Sequence, residues 1–244
     1  METTEPAISP IAAEAPLRFA CHPQVPCFNE CCRELDLALS PYDVLRLKKA
    51  LGMRSGDFLK DYVLVSREEG QTFPLCHLTM VDDGRASCVF VSSKGCTVYA
   101  DRPGSCRAYP LGRGASLQRD GSAHEQLVLV REAHCQGFAE ECTRSARAFL
   151  ESQELAEYNR FNDALLRLLQ HPRVQDRSFQ PTDQQLNRYM LALYDLDRFR
   201  QLINSGTIIL PFPLNKKQQE ALAENDEELL LLAIDWLYRD FFSE

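Results

Sequence analysis

Apolar side chains recur at helical intervals over residues 44–51, where Val44, Leu45, Leu47 and Leu51 share one face behind the opening Ser40-Pro41-Tyr42-Asp43. Ser40 can cap, Pro41 suits the first helical position, Asp43 complements the positive end of the helix dipole, and Gly52 can end the helix. A second short helix is expected after Ser55, burying Phe58, Leu59, Tyr62 and Val63. Short β segments are expected at 78–81, 86–91 and 126–131, with turns at Asp83-Gly84 and Lys94-Gly95. Beyond residue 143 the pattern turns helical, with helices expected at 144–152, 154–170, 183–204, 216–224 and 226–242 and breaks at His171-Pro172 and Gly206. Leu165, Leu168, Leu169, Leu191, Tyr194 and Leu202 fall at core-packing positions of those helices. Residues 1–17, rich in Pro and Ala and without a period, predict disorder. There is no internal repeat.

Composition narrows the class. A chain of 244 residues with 45% hydrophobic content can bury an ordinary globular core, as one large domain or two small ones. The net charge of −8 is uneven: residues 215–244 carry eight acidic and three basic side chains, and residues 1–20 carry three and one. No basic stripe is present, so no nucleic-acid partner is expected. The acidic C-terminal stretch reads as a solvated helix face. The longest apolar run, Leu229–Ile234, is far shorter than the ~20 residues of a membrane span. The opening METTEPAISPIAAEAPLRFA lacks the basic start and uninterrupted apolar run of a secretory signal. The expectation is a cytoplasmic protein with no membrane partner; no protein partner is legible.

The cysteines change the picture most. All ten lie between residues 18 and 142, and residues 143–244 contain none. Seven of them, Cys21, Cys27, Cys31, Cys32, Cys88, Cys96 and Cys106, form an opening C-x5-C-x3-C-C and a closing C-x7-C-x9-C. Clustered thiols form disulfides, bind metal or run redox chemistry, and a reducing compartment favours metal. Structural zinc takes four tetrahedral Cys or His ligands, and iron–sulfur clusters take Cys thiolates. Both draw ligand pairs from separate chain segments, which 21–32 and 88–106 provide. Cys31 and Cys32 are adjacent, so their side chains diverge: one ligates while the other packs, or they serve two centres. No G-x-G-x-x-G or P-loop pattern points to a nucleotide cofactor. Cys76-His77 and His134-Cys135 are sequence neighbours, which does not make them catalytic dyads, and His22 is a weaker ligand candidate than the thiols around it.

The stretches F-x-C-x4-P-C-x3-C-C at 19–32, S-P-Y-D-x-x-R-L at 40–47 and C-x-F-x4-G-C-x-V-Y-x-x-R-P-x-x-C-R-x-Y-P at 88–110 resemble the YkgJ-type cysteine-cluster family, described as a zinc- or iron-chelating domain. The match spans about 19–135. It implies metal ligation by Cys21, Cys27, Cys31, Cys32, Cys88, Cys96, Cys106 and Cys135. Both gaps in the opening motif are longer here than in the family's commoner C-x2-C-x2-C-C. Cys76 and Cys142 match nothing in the pattern and read as small buried or surface residues. Arg102, Arg107 and Tyr109 belong to the matched ending, and Arg107 is chemically suited to donate to thiolates or pair with a carboxylate.

The resulting expectation is an α+β fold: a disordered 1–17, a loop-rich metal-stapled cysteine-cluster domain at 18–142, and a helical C-terminal region at 143–244. Zinc or iron, or an iron–sulfur cluster, is the cofactor. Eight thiolates on one ion would carry too much negative charge, so the centre is polynuclear or only some of the eight ligate. The function expected is cytoplasmic metal binding. The alternative is a metal- or cluster-dependent enzyme; the resemblance extends to flagellin lysine N-methylases and so to methyl transfer or protein modification. No catalytic residue is identifiable.

Overall fold

The computed structural model describes residues 6–210 and 213–242. In chain order the strands are β1 (Ala7–Pro10), β2 (Pro16–Arg18), β3 (Ala38–Leu39), β4 (Val63–Ser66), β5 (Leu75–Leu78), β6 (Met80–Val81), β7 (Ser87–Cys88), β8 (Val91–Ser92), β9 (Gly95–Cys96), β10 (Leu111–Leu117), β11 (Ala123–Arg131) and β12 (Thr143–Ser145). The helices are α1 (Pro41–Ala50), α2 (Ser55–Tyr62), α3 (Gly104–Ala108), α4 (Ala146–Ser152), α5 (Ala156–Leu169), α6 (Pro172–Gln175), α7 (Asp183–Leu193), α8 (Leu196–Asn204), α9 (Lys216–Ala223) and α10 (Asp226–Phe242). The fold is α+β, as expected, with a helical C-terminal region.

Contacts divide the chain into two units, 1–36 with 79–159 and 37–78 with 160–244. The composition boundary at 142/143 is therefore not the boundary of packing. Residues 37–78 carry Cys76 but belong with the C-terminal helices, because their apolar faces pack there.

In the first unit, β1, β11 and β10 form one antiparallel sheet, with Ile8 opposite Val130 and Leu111 opposite Leu129. Strand β2 pairs with β12, β6 with β7, and β8 with β9. Disorder expected over 1–17 is thus corrected for 7–10 and 16–17, which are strand; residues 1–5 lie outside the described residues. Leu17 and Phe19 sit in a core with Leu111, Ala146 and Phe149, and the Phe19 ring meets Phe138 at 5.2 Å and Phe149 at 5.9 Å. That burial offsets the ordering of the segment. Strand β10 was not expected either: its sequence, LGRGASL, has too few apolar residues to show a period.

In the second unit, β3, β5 and β4 form an antiparallel sheet beside the helices. The opening of α1 is as read from sequence: Ser40 accepts from the Asp43 backbone N–H while Asp43 accepts from the Ser40 backbone, a full capping box. Helix α2 begins at Ser55 as expected, burying Phe58, with Val63 buried just beyond it and Leu59 and Tyr62 half-buried. Leu229, Leu230, Leu232, Ala233, Ile234 and Leu237 of α10 are all buried, and Tyr42 stacks on Phe161 at 4.3 Å. The helix expected over 183–204 is two, α7 and α8. Asp195 breaks it by capping α8, and its carboxylate also accepts from Ser55 Oγ at 2.9 Å. Lys48 lies between two carboxylates, 3.1 Å from Asp197 and 2.7 Å from Asp226, and Arg200 closes on Asp226 at 2.5 Å.

Candidate metal centre

The segment 22–33 is a run of tight turns: Val25 N–H donates to His22 O, Phe28 to Val25 O, Glu30 to Cys27 O and Cys32 to Asn29 O, at 2.9 to 3.1 Å. Buried Val25 pins the run from inside, and Asn29 takes the left-handed conformation (φ 71°) that Asn tolerates better than most residues. These turns fold the C-x5-C-x3-C-C segment back on itself. Phe19 N–H donates to Cys142 O at 3.0 Å and Ala20 N–H to Gly137 O at 3.1 Å, which sets Cys21 beside the turn carrying Cys135.

Cys21, Cys27, Cys31 and Cys135 line one narrow cavity with Phe19, Val25, Tyr109, His134 and Gly137. Gln136 donates its backbone N–H to Cys27 Sγ at 3.1 Å. Gly137 allows the turn to close: a Cβ there would lie 2.6 Å from the Phe19 ring and 2.7 Å from Ala20 O. Burial, then the neighbouring Cys31, Cys27 and Cys135 sulfurs, pushes the Cys21 thiol up to about 11. Burial also raises Cys135, against hydrogen bonds from Tyr109 and the Gly137 N–H. The Tyr109 hydroxyl is buried beside Cys135 and Glu132, and burial, then those two neighbours, drives its pKa far up.

A second set of thiols sits on the small hairpins. Cys88 ends β7 opposite Met80, and Cys96 ends β9 opposite Val91. The motif loop is stitched to these hairpins on both sides of Cys31 and Cys32. Asn29 Nδ2 donates to Ser92 O at 3.1 Å, Arg33 bridges to Ser87, and Glu34 N–H donates to Ala86 O at 3.0 Å. The Phe28 ring lies 3.3 Å from where a Gly95 Cβ would be. Burial raises Cys88, against the Phe90 and Val91 N–H groups that favour its thiolate, with Cys96 and Cys31 adding to the rise. Burial likewise raises Cys96, against the Val98 N–H and the Arg102 charge, with Cys31 adding. Cys31 shares a hydrogen bond with Cys32; that bond, then burial, drives its pKa far up. Cys31 is thus the thiol in electrostatic range of both sets.

Cys106, on α3, lies within reach of the Arg102 charge together with Cys96. Arg102 also stacks on Tyr99 at 3.8 Å. Of the two roles read for Arg107, the carboxylate pairing is the one present: it faces Glu154 at 3.9 Å and donates to the carbonyls of Ala100, Arg102 and Gln153. It pins the loop, and Arg102 is the cation whose field reaches the sulfurs. Cys76 is buried in the second unit with a hydrogen bond from Tyr194, and burial pushes it up to about 12. Cys142 is exposed. His22 bonds Gln24 and Glu140, and His134 lies 3.6 Å from Glu132.

No disulfide joins the ten cysteines, all of which are among the described residues. Among those residues no group of three or more His, Cys, Asp or Glu side chains is already drawn together to hold a metal ion. The donor chemistry nevertheless fits one. The donors are soft thiols, and backbone N–H groups face Cys27, Cys88, Cys96 and Cys135. Such N–H donors favour thiolate over thiol and tune a bound metal. The raised thiols hold their protons at neutral pH, so metal binding must displace them. Sequence reasoning missed the N–H donors of Gln136 and Gly137. The short Cys135-x-Gly137 spacing was the available signal, since glycine lets the backbone approach closely.

The first unit, built of loops and small hairpins, holds nine of the ten cysteines. The chain belongs to the CxxCxxCC family, described as a "putative zinc- or iron-chelating domain", whose profile matches residues 20–143, just over half its length. No curated protein and no solved structure matches the chain. No helix among the described residues is long and apolar enough to cross a membrane.

Proposed function

We propose that the protein is a cytoplasmic zinc- or iron-binding protein whose metal is held by thiols of the 21–32 and 88–106 loops together with Cys135, and organises that unit. The observation that carries this reading is the placement of Cys31. The backbone stitches at Asn29 and Arg33 hold it against the hairpins bearing Cys88 and Cys96, while its side chain lines the cavity of Cys21, Cys27 and Cys135. Cys31 thus shares a cavity with Cys21, Cys27 and Cys135 and lies in electrostatic range of Cys88 and Cys96. Apolar cover is thin in these loops, so metal binding free energy becomes folding free energy there.

The test is anaerobic purification of the full chain, with metal analysis and a visible spectrum. Stoichiometric zinc in a colourless protein, or iron in a coloured one, supports the reading and selects the metal. A folded, metal-free protein with its cysteines paired in disulfides overturns it.

A further inference from the structure

Strand β4 lies at the edge of the β3-β5-β4 sheet of the second unit, bonded to β5 on one side. It carries three apolar residues in a row, Val63, Leu64 and Val65. Side chains alternate across the sheet: Val63, Cys76 and Leu78 are buried on one face, and Leu64, Ser66 and Leu75 are exposed on the other. Leu64 is 62% exposed, and Val65, at the rim of the buried face, is 54% exposed. Edge strands are ordinarily blunted by proline, by charge or by being very short. Strand β1 ends in Pro10, β3 is two residues long, and β10 carries Arg113 between two glycines; β4 has none of these devices.

The ladder shows which backbone groups of β4 are open. In an antiparallel sheet the N–H and C=O of one residue point to the same side, and successive residues alternate. Leu78 donates its N–H to Leu37 O at 2.9 Å, so Leu78 and Cys76 turn toward β3. His77 and Leu75 therefore turn toward β4, where they meet Leu64 and Ser66. The carbonyls of Val63 and Val65 and the Val65 N–H point outward. We infer that the protein self-associates through this edge, two copies pairing their β4 strands antiparallel about a two-fold axis at Leu64. The Val65 N–H of each copy then donates to Val63 O of the other. Leu64 meets its own counterpart in a non-hydrogen-bonded pair, about 4.5 Å between Cα atoms, and both side chains leave water. The contact is isologous, so it closes at two copies.

Charge selects this register among those the backbone allows. Pairing about Leu64 sets Arg67 opposite Asp61 of the second copy, and Glu68 opposite its Lys60, all four being exposed. Asp61 lies in the last turn of α2, whose free carbonyls also favour a cation there. Moving the axis to Val65 sets Glu69 against Asp61 instead. Exposed pairs of this kind choose the register more than they strengthen it. A four-residue strand makes a small contact, so the dimer forms and dissociates with concentration.

The experiment is sedimentation equilibrium of the full-length protein over a range of concentrations, with metal content measured on the same samples. A monomer–dimer equilibrium is expected. Leu64→Lys, on the exposed face and outside the core, sets two like charges opposite each other and should weaken the dimer about tenfold. Asp61→Arg and Arg67→Asp should each weaken it, and the two together should restore it. A chain that stays monomeric throughout, a dimer indifferent to Leu64→Lys, or a double variant no tighter than the single ones overturns the proposal. Metal content is expected to be the same in monomer and dimer, so none of these outcomes bears on the proposed function.

Discussion

Gln136 donates its backbone N–H to Cys27 Sγ at 3.1 Å, across 109 residues of chain. The bond closes the cavity that Cys21, Cys27, Cys31 and Cys135 line, and it ties that cavity to the turn around Gly137.

Gly137→Ala tests that turn. The added methyl would overlap the Phe19 ring and Ala20 O, so the turn must move away from Cys27 and from the Leu17–Phe19 core. Overpacking of this kind costs about 1–3 kcal/mol. Lower thermal stability and faster loss of metal to a competing chelator are expected together. Unchanged values for both would show that the turn relaxes without disturbing the thiols.

Chelation should loosen the two units unequally. Hydrogen exchange should rise over 20–36, 86–106 and 132–138, where turns and short hairpins carry the thiols. It should change little over α7, α8 and α10, where burial of Leu229, Leu230, Leu237 and Phe199 supplies the stability. Equal protection of the loops before and after chelation would contradict a folding role for metal.

Thiol reactivity should separate the cysteines outside the proposed set. In metal-loaded protein, exposed Cys142 should alkylate first, and Cys76, buried beneath Tyr194 with its thiol raised to about 12, should alkylate last. Replacing either by Ser should leave metal content unchanged. Mass spectrometry of a time course checks the order, and elemental analysis checks the content.

The Lys48 network predicts acid sensitivity in the second unit. Burial alone would raise Asp197 and Asp226, but hydrogen bonds from Ser55 and Lys48 to the first, and from Lys48 and Arg200 to the second, leave both below the ordinary carboxylate value. Groups so lowered stabilise the fold above about pH 4, the unfolded carboxylate pKa, and lose that contribution as pH falls below it. The Lys48 side chain is only 7% exposed, so Lys48→Met removes a buried cation from both carboxylates, leaving Asp197 the Ser55 donors with Arg200 at 3.7 Å and Asp226 the Arg200 contact. Loss of one partner of a buried pair costs about 3–5 kcal/mol, and Arg200 places the expectation at the lower end, about 3 kcal/mol. The variant should also show a shallower loss of helix signal on acid titration. An acid profile parallel to the parent's would assign the pH dependence elsewhere.

What could be read in the chain alone is what depends on neighbours in sequence. Ser40-Pro41-Tyr42-Asp43 starts α1 because a capping box needs only residues three apart, and the apolar spacing of 226–242 forms α10 because a helix satisfies its own backbone. The thiol spacing was legible for the same reason. Tertiary structure decided the rest, through contacts no local pattern contains. Strand β1 exists because β11 offers it a partner and the core accepts Leu17 and Phe19 close by, and the 183–204 stretch breaks because Asp195 caps α8 while accepting from Ser55. Cys76 falls in the second unit although composition groups it with the other thiols. The meeting of Cys31 with Cys21, Cys27 and Cys135 around one cavity, and the stitching of its loop to the hairpins of Cys88 and Cys96, also need folding. They depend on hydrogen bonds from Asn29 to Ser92 and from Gln136 to Cys27, and partners so distant along the chain leave no trace in spacing.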